Sequence, residues 1–220
     1  MSMSTADRRI AGLGLIGFSA LLLVEDRLDP TSGVSFYEAA TTHPGLLTAS
    51  ALSLLGSAVL TVPAIGGIVA SAPYRGAVLA RVGGLLALLG ALGHTALAMA
   101  YLIMRSLAGG DRSQMIAFED RVNADTSLGI IATVMLLSFG VGLALLAWAA
   151  WRADLIGWWG PAVVTAVVVA HAVLPDDLPP VIPFTALAGL AAVFGWLGVT
   201  LLTTPAPIPA EPAFQPAGRL

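Results

Sequence analysis

The chain has 220 residues, of which 57% are apolar and 10% charged, with a formal net charge of −3 and a mean hydropathy of +0.89. So few charges on so apolar a chain exclude a basic nucleic-acid-binding protein and an ordinary soluble core. Cysteine is absent, which excludes a disulfide framework and a thiolate metal site.

Six apolar stretches follow one another, at residues 10–24, 46–72, 77–104, 128–151, 155–174 and 183–202. A helix needs about 20 apolar residues to span a bilayer. Five stretches meet this, and the first reaches it by borrowing residues through Leu28. The expected fold class is all-α: a polytopic bundle of six transmembrane helices in one domain, residues 1–203.

Arg8-Arg9 followed by an apolar run resembles a signal peptide, but Glu25-Asp26-Arg27 stands where a small-residue cleavage site belongs. The first stretch is therefore read as a retained anchor. Within it, Gly12, Gly14 and Gly17 match G-x-G-x-x-G. That dinucleotide fingerprint needs a preceding strand, so the glycines are read as small residues for close helix packing.

Residues 25–43 read as an outer loop, with turn signals at Asp29-Pro30 and Ser32-Gly33. His43-Pro44 suits a helix start, with proline at the first helical position. The second stretch, 44–72, is long, and Pro63 is its expected bend point. It carries a hydroxyl stripe, Ser50, Ser53, Ser57 and Thr61, at offsets of three and four, with His43 on the same face. Such a stripe lines a polar cavity or joins two helices.

The third stretch presents Ala87, Gly90, Ala91, His94, Ala98, Tyr101 and Arg105 on one face. Small residues below and polar residues above turn that face to the bundle interior. An ionisable group at membrane depth is costly and faces protein or a wet cavity. His94 is thus either a packing histidine or part of a reactive centre.

In the outer loop 105–127, Met115, Phe118 and Val122 recur at helical spacing beside Glu119 and Arg121. A short amphipathic helix over the outer mouth is expected. Asp125-Thr126-Ser127 supplies caps for the fourth span. Trp148, Trp151, Trp158 and Trp159 form an aromatic belt around Arg152, marking a membrane interface. His171 lies near the outer end of the fifth span, and Asp176-Asp177 occupy the short loop 175–180. The proline-rich tail, 204–220, is expected to be extended or disordered.

With the N-terminus inside, inner segments hold six of the ten arginines and three acids. Outer segments hold four arginines and ten acids. The arginine bias places both termini of the multi-pass chain in the cytoplasm.

His43, His94 and His171 all fall toward the outer side, yet no helix carries H-E-x-x-H, H-x₃-H or another ligand pair. No metal, haem or other cofactor is expected. A proton donor is easier to build there, from an acid in a partly buried setting or from a neutral histidine. The candidate catalytic residues are Glu25, Asp26, His94, Glu119 and Asp120. Ser50, Ser53, Ser57, Tyr101 and Trp196 are the candidate substrate contacts. The same acids also fit a merely solvated rim.

Several segments carry a family resemblance. They are Arg9-Ile10-Ala11-Gly12, His43-Pro44-Gly45, Pro63-Ala64-Ile65-Gly66, Arg81-Val82-Gly83-Gly84 with Gly90-Ala91-Leu92-Gly93-His94, Asp120-Arg121-Val122-Asn123, and the segment from Trp151 to Trp159. Over residues 8–202 the chain resembles small six-helix actinobacterial membrane proteins of the DUF4386 type. The resemblance implies a fold and a membrane address, a bacterial plasma membrane, and no activity.

Three functions compete. One is a membrane-embedded enzyme that protonates an alkene or epoxide of an apolar lipid or isoprenoid-like substrate, an isomerase or lyase. The chain resembles small integral-membrane terpene cyclases in size and character, with no residue-level motif matched. Apolar walls would exclude water from a cation, and Tyr101 and Trp196 would stabilise its charge. The second function is lipid or small-molecule binding or transport. The third is an accessory subunit held by helix packing. Membrane lipids are expected partners, and nucleic acid is not.

Overall fold

The computed structural model describes residues 3–31, 33–72, 74–173 and 181–204. Among them every regular element is helical: α1 (Thr5–Leu28), α2 (Phe36–Thr42), α3 (Pro44–Ser71), α4 (Ala77–Leu107), α5 (Arg112–Ala124), α6 (Thr126–Arg152), α7 (Trp159–Val173) and α8 (Val181–Thr203). Four of them, α3, α4, α6 and α8, are long and apolar enough to cross a membrane. The chain thus has the makeup of a multi-pass membrane protein. α1 carries charges at both ends and α7 spans only fifteen described residues, so these two fall outside that set.

The helix boundaries follow local chemistry. Ser4 and Asp7 form a capping box at the start of α1. Pro44 sits in the first turn of α3, where a missing N–H costs nothing. Asp125 caps α6 by accepting the N–H groups of Ser127 and Leu128. The expected amphipathic helix exists as α5, capped by Asp111. The loop expected over 25–43 is mostly helical instead. α1 runs to Leu28 because its last turn leaves Asp26 and Arg27 exposed and Glu25 only half-buried, and Ser35 then caps the short α2. The fifth helix begins at Trp159, not at Leu155, and Asp154 in the preceding turn has a left-handed φ of 57°. The loop with Asp176-Asp177 and the tail from Pro205 lie outside the described residues.

Six helices close a ring: α1 against α3, α3 against α4, α4 against α6, α6 against α7, α7 against α8, and α8 back against α1. Neighbours run antiparallel. The Arg8 Nε, near the start of α1, points to the Leu201 carbonyl near the end of α8 at 3.5 Å. Glu25, near the end of α1, meets Ser50, near the start of α3. Close approach depends on glycine. A Cβ on Gly12 would meet the Gly198 carbonyl oxygen at 2.8 Å, and one on Gly14 would meet the Pro63 ring at 3.0 Å. The G-x-G-x-x-G string is therefore a packing surface for α3 and α8. α4 and α6 touch through Gly83, Gly90 and Gly142 in the same way.

The centre of the ring is filled. Phe18 on α1, Phe139 on α6 and Phe194 on α8 meet edge to face, with centroids 6.0 Å apart in each pair involving Phe18. Leu15, Leu146 and Leu197 pack around them, almost wholly buried. Many leucines and valines point outward instead, including Leu13, Val59, Leu85 and Leu92. An outward apolar coat over a packed interior is what a lipid solvent permits.

Candidate functional site

One end of the ring gathers the acids, and the helix geometry explains how. Glu25 and the residue that ends α1, Asp29, lie four positions apart and so share a face. Ser50 Oγ, on α3, donates to Glu25 Oε1 at 3.2 Å. The Tyr101 hydroxyl, on α4, donates to Asp29 Oδ2 at 3.3 Å. Thr31 completes a local turn, its N–H and hydroxyl donating to Asp29 Oδ1 at 3.0 and 2.8 Å. Ser50 is fully buried and Tyr101 is 3% exposed, while Glu25 and Asp29 are half-buried. Among the described residues neither carboxylate has an ion-pair partner. Arg27, the nearest cation in sequence, lies over the Phe184 ring at 3.5 Å.

A lid of short helices sits beside this cluster. Phe36 of α2 packs on Tyr101, ring centroids 5.5 Å apart. α2 is held by α5, because Glu119 accepts the N–H of Phe36 at 2.8 Å and that of Tyr37 at 3.2 Å. Together with Ser35, which accepts the Glu38 N–H, this satisfies the first three donors of α2.

The candidates read from sequence therefore separate. Glu25, Ser50 and Tyr101 come together. Glu119 is buried, but its carboxylate is engaged as a helix cap. Asp26 and Asp120 are exposed. Trp196 is 58% exposed on the outer face of α8, away from the acids. Ser53 and Ser57 are buried deeper along α3. Ser57 and Thr61 donate to carbonyls of their own helix, at Leu54 and Ser57, so among the described residues the stripe joins another helix only at Ser50. His94 lies two turns below Tyr101, half-buried, its ring 4.3 Å from that of Phe139, and among the described residues its buried Nδ1 has no hydrogen-bond partner. His43 and His171 are exposed, and no group of three His or acidic side chains among the described residues converges on a metal position.

Asp29 is the member that sequence reasoning passed over. The signal was present as the four-residue spacing from Glu25, but the Asp29-Pro30 pair read only as a turn. Two open cavities, of about 570 and 300 Å³, lie at the opposite, arginine-bearing end of the ring.

Compared with known proteins, the chain matches no family model, no curated protein and no solved structure.

Proposed function

We propose that this chain is a six-span protein of the bacterial plasma membrane, with both termini cytoplasmic, that performs acid–base chemistry on an apolar lipid or isoprenoid-like molecule at its acidic end. The family of small six-helix actinobacterial membrane proteins that its motifs resemble fits this membrane address. The alternating direction of the six ring helices supports six crossings, and the arginines clustered at the other end support the orientation.

One observation carries the chemistry. Two carboxylates, Glu25 and Asp29, stand one helical turn apart, half-buried, with hydroxyl donors and no cation to pair with. A half-buried carboxylic acid beside a fixed hydroxyl donor has the makings of a general acid. Glu25 is then the group that gives a proton to an alkene or epoxide, and the resulting cation closes or rearranges before returning a proton. Asp29 and Tyr101 hold the neighbouring charge and hydroxyl in place. Val24 and Leu46, which neighbour the cluster in sequence on α1 and α3, are exposed and apolar, as an approach from the bilayer requires.

The filled centre favours a second reading. Phe18, Phe139 and Phe194 leave a plug where a transport path through the ring would run, which suits an accessory subunit or a binding protein better than a transporter.

Mass spectrometry of lipids that co-purify with the full chain separates a protein that handles such a lipid from an accessory subunit. Enrichment of an isoprenoid-like lipid over bulk phospholipid is the expected result. A lipid profile identical to the surrounding membrane contradicts the enzyme reading.

A further inference from the structure

The larger cavity lies at the other end, where two candidate membrane spans stop. α4 starts at Ala77 and α6 ends at Arg152, so the cavity sits at the ends of two candidate spans. Its walls include Tyr74, Arg75, Leu79, Trp151, Arg152 and Asp154, and it encloses about 570 Å³.

The two arginines come from different elements, and Gly76 is what brings them together. Gly76 has a left-handed φ of 86°, and a Cβ there would meet the Ala149 carbonyl oxygen at 2.9 Å and the Arg152 Cβ at 3.3 Å. Only glycine allows the turn carrying Arg75 to press against the last turn of α6. Both guanidinium groups are exposed, and among the described residues neither has an ion pair or hydrogen bond, although Asp154 shares the wall. Because both arginines line one wall, an anion in the cavity is within the reach of a charge-assisted hydrogen bond from each. Trp151 and Tyr74 bring to the same wall the aromatic rings that favour the headgroup region of a bilayer.

We propose that this cavity binds the phosphate of an anionic phospholipid headgroup from the adjoining leaflet, gripped by Arg75 and Arg152. Arginine presents a planar fork matched to phosphate oxygens. The open side of the cavity admits a headgroup whose acyl chains remain in the bilayer alongside the apolar faces of α4 and α6. This site is separate from the acidic cluster and does not depend on any chemistry there.

The test uses the full chain in detergent micelles, titrated with phosphatidylglycerol, phosphatidylcholine or inorganic phosphate, with binding read by native mass spectrometry and by the shift in thermal unfolding. Phosphatidylglycerol should be preferred over phosphatidylcholine by about 30-fold, taking each arginine near the surface at about fivefold. Arg75→Gln and Arg152→Gln should each lose about fivefold of that preference, and the double variant nearly all of it. Arg81→Gln, at the same end but outside the cavity wall, should retain it. Equal losses in Arg81→Gln, or an unchanged preference in the double variant, would overturn the site. Stabilisation by inorganic phosphate without any by phosphatidylglycerol would overturn its assignment to lipid.

Discussion

Ser50, sealed inside the bundle on α3, spends its hydroxyl on the Glu25 carboxylate of α1, 3.2 Å away. The bond joins the end of one helix to the start of the next and fixes where Glu25 points. Ser50→Ala removes the donor and leaves a half-buried carboxylate with one partner fewer. A loss of about 1–3 kcal/mol in unfolding free energy is expected, measured by denaturant unfolding in micelles. An unchanged stability would show that the hydroxyl does not hold Glu25.

Glu119 reads in sequence as a candidate acid and acts in the structure as a cap. Glu119→Ala leaves the N–H groups of Phe36 and Tyr37 without their acceptor and should destabilise the α2–α5 lid by about 1–3 kcal/mol. Glu119→Gln keeps one acceptor oxygen and should cost less. Hydrogen exchange at the amides of Phe36 and Tyr37 is the measurement. Protection that is untouched in Glu119→Ala would contradict the capping role.

The apolar architecture was legible because membrane helices announce themselves by length. The starts of α3 and α6 were legible too, since Pro44 and Asp125 are local signals. α2 was not. Its sequence, Phe36 to Thr42, is short and lacks a long apolar period, and it forms because Glu119, 83 positions later, caps it. The candidate site divides on the same principle. Ser50 and Tyr101 were found from helix faces, and Glu25 as an acid of the expected outer loop. Which acid they would meet depends on how α1, α3 and α4 cross, and that crossing is set by glycine contacts such as Gly14 against Pro63.

Those glycine contacts give a second stability test. A Cβ on Gly142 would overlap the backbone of Ala87, so Gly142→Ala should force α4 and α6 apart and cost about 1–3 kcal/mol. Gly195→Ala, where nothing lies within 4 Å of the new carbon, should be neutral or slightly stabilising. Equal effects at the two positions would show that helix contact does not govern stability.

Asp111 gives a pH test outside the membrane. The Ser113 hydroxyl, and then the Gln114 N–H, hold its carboxyl below the ordinary value of 3.8. A depressed carboxyl stabilises the fold fully above its unfolded value and loses that contribution as pH falls through the folded one. Amide protection at the start of α5 should therefore hold at about pH 5 and fall toward about pH 2. In Asp111→Asn the dependence should flatten. An equally steep loss in that variant would contradict the cap.

The six-span topology is tested by single cysteines, which are unambiguous in a chain without any. Ser113→Cys and Ala153→Cys should react with an impermeant maleimide from opposite sides of intact cells. Reaction from the same side would overturn the topology.

Conversion of an isoprenoid-like lipid by the full chain in nanodiscs, followed by mass spectrometry, tests the acid–base claim most directly when wild type is set beside Glu25→Gln. Loss of a general acid should slow formation of the cyclised or isomerised product by about 10²–10⁴-fold, in a variant that still unfolds cooperatively. Glu119→Gln, altered only in the lid, should keep turnover per folded molecule near that of wild type. Turnover retained in full by Glu25→Gln, or abolished in Glu119→Gln with its fold intact, would contradict the assignment of Glu25 as the proton donor.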